Sequence, residues 1–113
     1  MPAFHTPKEV VAFRARGGQV PFEEWLDDLK DKRAVARVLA PLARVRLGNL
    51  GDCKPVGEGL AELRVDYGSG YRVYFGQKGQ TLVVLLCGGD KRTQERDIRL
   101  AKQYWHEFKA SES

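Results

Sequence analysis

Residues 60–93 constrain this chain more than any other stretch. They read Leu60-Ala61-Glu62-Leu63-Arg64-Val65-Asp66-Tyr67, a Gly68-Ser69-Gly70 turn, then Tyr71-Arg72-Val73-Tyr74-Phe75. An apolar run follows from Leu82 to Cys87 and ends in Gly88-Gly89-Asp90-Lys91-Arg92-Thr93. Two strands of period two, joined at a glycine turn, fix which side chains share a face. If Leu63 and Val65 point to the core, Val73 and Phe75 do so too. Pairing Tyr67 with Tyr71 across a three-residue loop satisfies both strands. Arg64, Asp66, Arg72 and Tyr74 then project together from the opposite face. The neighbouring strand delivers Lys91 and Arg92 to its end. Such a surface, rich in cations and carrying a phenol, suits a phosphodiester.

The rest of the chain supplies a core for this sheet. With 113 residues, 42% hydrophobic and 30% charged, it has the make-up of one globular domain, 1–113, with 1–8 and 110–113 as tails. No apolar run approaches the roughly 20 residues needed to cross a bilayer, so no membrane role is expected. The first eight residues lack the pattern of a secretion signal, which makes the cytoplasm the expected location. Cys53 and Cys87 have no CxxC spacing and read as free thiols rather than metal ligands. The net charge of +4 favours polyanions but says little without its distribution.

Val10, Val11 and Phe13 mark a short first strand over 9–14. Pro21 suits the first position of a helix, with Glu23 and Glu24 in its opening turn and Phe22, Trp25, Leu26 and Leu29 on one side. A second helix over 32–47 buries Val35, Val38, Leu39, Leu42 and Val45. Arg33, Arg37, Arg44 and Arg46 hold its wetter side, read as a solvated face. Pro41 predicts a kink costing about 3 kcal/mol unless packing offsets it. Residues 48–59, with four glycines and Pro55, read as a loop. A last helix over 94–109 carries Ile98, Ala101, Trp105 and Phe108 on one face. The expected class is α+β: an N-terminal strand, two helices, a three-stranded antiparallel segment and a C-terminal helix, with the helices on one face.

Several of these pieces occur together, and in the same order, in a known group of proteins. They are Gly48-Asn49, Asp52-Cys53-Lys54-Pro55-Val56, Glu62-Leu63-Arg64 and Gly70-Tyr71-Arg72-Val73-Tyr74-Phe75. Leu86-Cys87-Gly88-Gly89-Asp90-Lys91-Arg92-Thr93-Gln94, then Asp97-Ile98 and Ala101, complete the set. On these motifs the chain resembles the RelE/ParE superfamily of bacterial toxins, in particular the addiction module killer proteins related to RelE and HigB. The resemblance implies a microbial RNase-like fold that cuts messenger RNA in the ribosomal A site without a metal or other cofactor. Arg72 matches the arginine of the RelE Gly-Tyr-Arg motif. Lys91 and Arg92 match the Lys-Arg pair that ends the last strand, and Arg64 stands near a lysine of the preceding strand. Glu62 falls where RelE has its other lysine, and Ile98 where RelE has a tyrosine.

Cleavage by attack of a ribose 2′-hydroxyl needs charge stabilised on a pentacoordinate phosphorus and a proton removed. Arginine suits the first task, because its planar fork can hold two phosphate oxygens. Arg72, Arg92, Lys91 and Arg64 are therefore the expected catalytic residues, with Tyr74 as a substrate-binding residue. A lysine base needs cationic neighbours that favour its neutral form, which points to Lys91. The blander reading is a cross-strand Arg72–Asp66 pair worth about 0.2–1 kcal/mol. His106, next to core-facing Trp105, reads as structural or solvated, and His5 as part of the tail.

The resemblance also implies partners. A cognate antitoxin from an adjacent gene, often of helix-turn-helix type, would cover the cationic face until released. A mRNA interferase meets the ribosome and mRNA. A ParE-like relative instead binds DNA gyrase without catalysis, and that alternative stays open on the sequence.

Overall fold

The computed structural model describes residues 7–112. Most of the expected N-terminal tail, His5 included, lies outside them. The described chain forms β1 (Glu9–Ala12), α1 (Pro21–Asp28), α2 (Lys32–Arg46), β2 (Cys53–Gly57), β3 (Leu60–Val65), β4 (Tyr71–Lys78), β5 (Leu82–Asp90) and α3 (Gln94–Ser111). A 3-10 turn, Lys91–Thr93, joins β5 to α3. The class is α+β, as the sequence suggests, but the sheet has five strands in the order β1-β5-β4-β3-β2. It is mixed: β1 runs parallel to β5, and the other neighbours are antiparallel.

Local chemistry accounts for the helices. Pro21 occupies the first turn of α1, and Glu23 and Glu24 lie in the same turn, near the positive end of the dipole. Asp31 caps α2, its carboxylate accepting from the Arg33 amide at 2.9 Å. That helix runs through Pro41. Burial of Ala34, Val38, Leu42 and Val45 offsets the lost bond, whereas Leu39, expected inside, is 45% exposed. The C-terminal tail is shorter than expected, because α3 continues to Ser111.

Two expectations are corrected. The glycine-rich segment 48–59 is not all loop: β2 pairs with β3, and Pro55 is tolerated because β2 is an edge strand with a bulge between Pro55 and Gly57. Nor do the helices share one face. Phe22, Val38, Leu42 and Val45 pack on Leu63, Val65, Val73, Phe75, Val83 and Leu85. Ala101 and Trp105 of α3 cover the reverse face at Leu60, Tyr74, Val84, Leu86 and Cys87. Close approach explains two glycines. A Cβ on Gly76 would stand 2.4 Å from the Trp105 ring, and one on Gly88 would stand 2.3 Å from Trp25. Each bare position lets an indole lie against the sheet.

A bulge sets the register of the cationic end. Tyr74 faces Cys87 and Phe75 faces Leu85, so Leu86 is extra and both Leu86 and Cys87 turn toward α3. After it, Arg72 faces Gly89 and Tyr71 faces Asp90. The 3-10 turn then begins beside the β3–β4 loop. At the far end the β2–β3 connection, Gly57-Glu58-Gly59, has φ of 97°, 57° and 81°. Its Glu58 carboxylate meets His106 Nε2 at 3.0 Å and Lys102 Nζ at 3.4 Å, which ties the connection to α3. The His106 hydrogen bond holds the Glu58 carboxyl below its ordinary range. His106 thus has a structural partner, far along α3 from the arginines.

Candidate functional site

The hairpin parity holds, with a two-residue change of register. Arg64 pairs with Arg72, and Glu62 with Tyr74, across β3 and β4. The connecting loop is longer than the three residues expected, because pairing ends at Val65 and Tyr71. Arg64 and Arg72 therefore stand directly opposite one another on one face, where two like charges need a counterion. Glu62 provides it. This glutamate is 1% exposed, and one of its oxygens, Oε1, lies 3.4 Å from the Nε of both arginines. Its other oxygen accepts from Gln94 Nε2 at 2.6 Å, at the start of α3.

One carboxylate shared by two guanidinium groups leaves an excess of positive charge. Arg64 bonds to Glu62 through Nε, and Arg72 Nε faces the same oxygen without a formed hydrogen bond. Their terminal nitrogens have no acceptor among the described residues. Arg64 is 42% exposed at the side chain and Arg72 12%. Both open onto a cleft of about 230 Å³, lined by Asp52, Arg64, Val65, Asp66, Gly70, Arg72 and Lys91. Gly70, at φ +82°, leaves the space across which the Lys91 stem lies, 3.2 Å from where a Cβ would be. The Arg72–Asp66 pair of the blander reading is absent from the ion pairs of the described residues. Its place is taken by Glu62.

The other expected site residues go elsewhere. Arg92 does not line this cleft. Its side chain is 83% exposed, and Nη2 donates to Asp90 Oδ2 at 3.0 Å. Asp90 also caps the 3-10 turn by accepting from the Arg92 amide at 2.8 Å. Arg92 instead borders a separate groove beside the 3-10 turn, of about 420 Å³, with Arg96 and Arg99; Lys91 lines both this groove and the cleft. Tyr74 has no exposed surface, so a nucleotide base has no ring face to stack on. Its hydroxyl has no hydrogen-bond partner among the described residues, and burial, followed by the charge of Glu62, raises the phenol well above its ordinary range. The thiols are free, and burial pushes Cys53 up to about 11 and Cys87 up to about 12, so both stay protonated at neutral pH.

Glu62 and Gln94 are the residues that sequence reasoning missed. The signal for Glu62 is parity: it stands two positions before Arg64 on the same face of β3. Gln94 could be found only once α3 was placed across that face.

All of these site residues fall within a family match. Residues 24–106 fit the model of the family described as Phage derived protein Gp49-like (DUF891). The chain belongs to the Gp49-like family. That family is associated with toxin–antitoxin modules, which supports a toxin role in coarse terms and implies an antitoxin partner. A relative from Haemophilus influenzae, named "Uncharacterized protein", is 52% identical over 81 residues, covering 72% of this chain and 82% of its own. Among the described residues, no helix of this Gp49-like chain is long and apolar enough to cross a membrane.

Proposed function

We propose that this Gp49-like chain is the toxin of a type II toxin–antitoxin module of RelE/ParE type and acts as a ribosome-dependent mRNA endoribonuclease. The observation that carries this reading is the Arg64–Glu62–Arg72 arrangement, which points two under-neutralised guanidinium groups into one cleft with Lys91. Asp52 and Asp66 line the same cleft, so the reading rests on the two free guanidinium forks and not on net charge. A phosphate can accept from both forks at once.

In the proposed reaction the ribose 2′-oxygen bonds to phosphorus and the bond from phosphorus to the 5′-oxygen breaks. The products are a 2′,3′-cyclic phosphate and a 5′-hydroxyl. Arg64 and Arg72 stabilise charge on the non-bridging oxygens as the phosphorus becomes pentacoordinate. Lys91, which lines the same cleft, is assigned the travelling proton, taking it from the 2′-hydroxyl or returning it to the leaving oxygen. Arg92, on the far side of the turn, serves RNA binding rather than the reacting phosphate. The helix-turn-helix nature of the antitoxin and the ribosome as a partner belong to the same proposal.

Induction of the chain in a bacterial host, followed within minutes by 5′-end mapping of transcripts, tests it. The expected result is arrest of protein synthesis with new 5′-hydroxyl ends inside codons. Intact transcripts together with a DNA-damage response would instead assign the toxin to gyrase binding.

A further inference from the structure

A second arginine-lined cleft adjoins the first. It measures about 270 Å³ and lies between α2 and β3, lined by Arg37, Arg44, Asp52, Arg64 and Asp66 with the backbone around them. Asp52, Arg64, Val65 and Asp66 belong to both clefts, so the two hollows share a wall. Together they are bordered by Arg37, Arg44, Arg64, Arg72 and Lys91 against two rim carboxylates. One α2 arginine is held in place by an aromatic ring. Arg37 holds its guanidinium over the Tyr67 ring, 5.1 Å from the centroid, and the Tyr67 hydroxyl is itself anchored on Asp31 at 3.2 Å. Arg37 and Arg44, seven residues apart, lie on one side of the helix. Neither forms an ion pair with Asp52 or Asp66, although both carboxylates line the same hollow.

We infer that this second cleft is a flanking phosphate subsite, so that a single RNA strand crosses the Arg64 wall with one phosphate on each side. Arg37, unpaired and held over an aromatic ring, is pre-organised for such a ligand, and Arg44 adds a second cation on the same side of the helix. The shared Arg64 makes neighbouring phosphates of one strand the simplest occupant of both hollows. The inference rests on the reading of the first cleft as a phosphate site.

The test uses the full chain and a fully 2′-O-methylated RNA tetranucleotide, which cannot be cut, with a one-phosphate dinucleotide of the same kind for comparison. Affinity is measured across a range of salt concentrations. For single strands each neutralised phosphate contributes about 0.7 to the slope of log K against log salt. The double variant R37Q/R44Q is expected to flatten the tetranucleotide slope by about 0.7, the share of one phosphate, and to leave dinucleotide binding unchanged. Arg72→Lys, in the first cleft, is expected to weaken both ligands. If the double variant keeps the parental slope while Arg72→Lys weakens binding, the flanking subsite is wrong and the first cleft stands. If neither oligonucleotide binds, the subsite is overturned, while transcripts still cut after induction would leave the cleavage reading in place. Preference for a glutamate-rich peptide of equal charge over the RNA would also overturn it, in favour of a protein partner.

Discussion

Arg72→Ala is expected to slow transcript cutting about 100-fold, the loss of roughly 3 kcal/mol that a single charge-stabilising donor contributes to a transition state. The arginine sits at the centre of the sheet, 12% exposed, with its terminal nitrogens turned to the cleft. Truncation removes both the fork and one counterion of Glu62, so the variant also loses stability. Arg72→Lys separates the two effects. It keeps a cation near Glu62 and should fold well, yet it lacks the planar fork and should recover little cutting. Arg92→Ala, by contrast, alters a side chain that is 83% exposed and pairs with Asp90 outside the cleft. Its expected effect on the rate is only a few-fold. The readout is the rate at which 5′-hydroxyl ends appear after induction, at matched levels of soluble protein. A folded Arg72→Ala protein that cuts as fast as the parent would remove Arg72 from the site.

Glu62→Ala is expected to destabilise the fold by about 3 kcal/mol, at the low end of the cost of breaking a buried ion pair. The low end applies because Arg64, one of the two partners, is 42% exposed and can regain water. Arg72 cannot do so as easily, and Gln94 loses its acceptor. For a domain of this size, such a loss lowers the melting temperature by about 10–20 °C. Glu62→Gln keeps an acceptor for Gln94 and removes only the charge, so its loss should be smaller. Thermal unfolding of the purified variants measures both. A melting temperature for Glu62→Ala within a degree or two of the parent would mean that the two arginines need no internal counterion.

Much of this arrangement is legible in the sequence, because period-two patterning determines faces. Leu63, Val65, Val73 and Phe75 mark the core side of the hairpin, and Arg64 and Arg72 follow on the other. Register is harder to read. A slip of two residues preserves every face, so parity cannot distinguish Arg64 opposite Tyr74 from Arg64 opposite Arg72. The side-chain partners change entirely, and with them the part played by Glu62. The second helix layer is equally hidden. The apolar stripe of α3 shows that the helix covers something, but not that it covers the face bearing the arginines. Once it does, Tyr74 passes from the surface to the core. The strand at Cys53–Gly57 is masked by Pro55 and its glycines, which an edge position tolerates. The direction of Arg92 depends on one local cap, Asp90 at the start of the 3-10 turn. Such a cap reorients a side chain without changing any periodicity.

The joint action of Arg64 and Arg72 on one phosphate can be followed through the NMR signals of their Nε–H groups. Isotope-labelled full-length protein is titrated with the uncleavable tetranucleotide, with Arg64→Lys and Arg72→Lys used to assign the signals. Both Nε–H signals should move together and level off at the same RNA concentration. Stationary signals from this pair, with movement confined to Arg92 and its neighbours, would contradict a phosphate clamp built on Glu62.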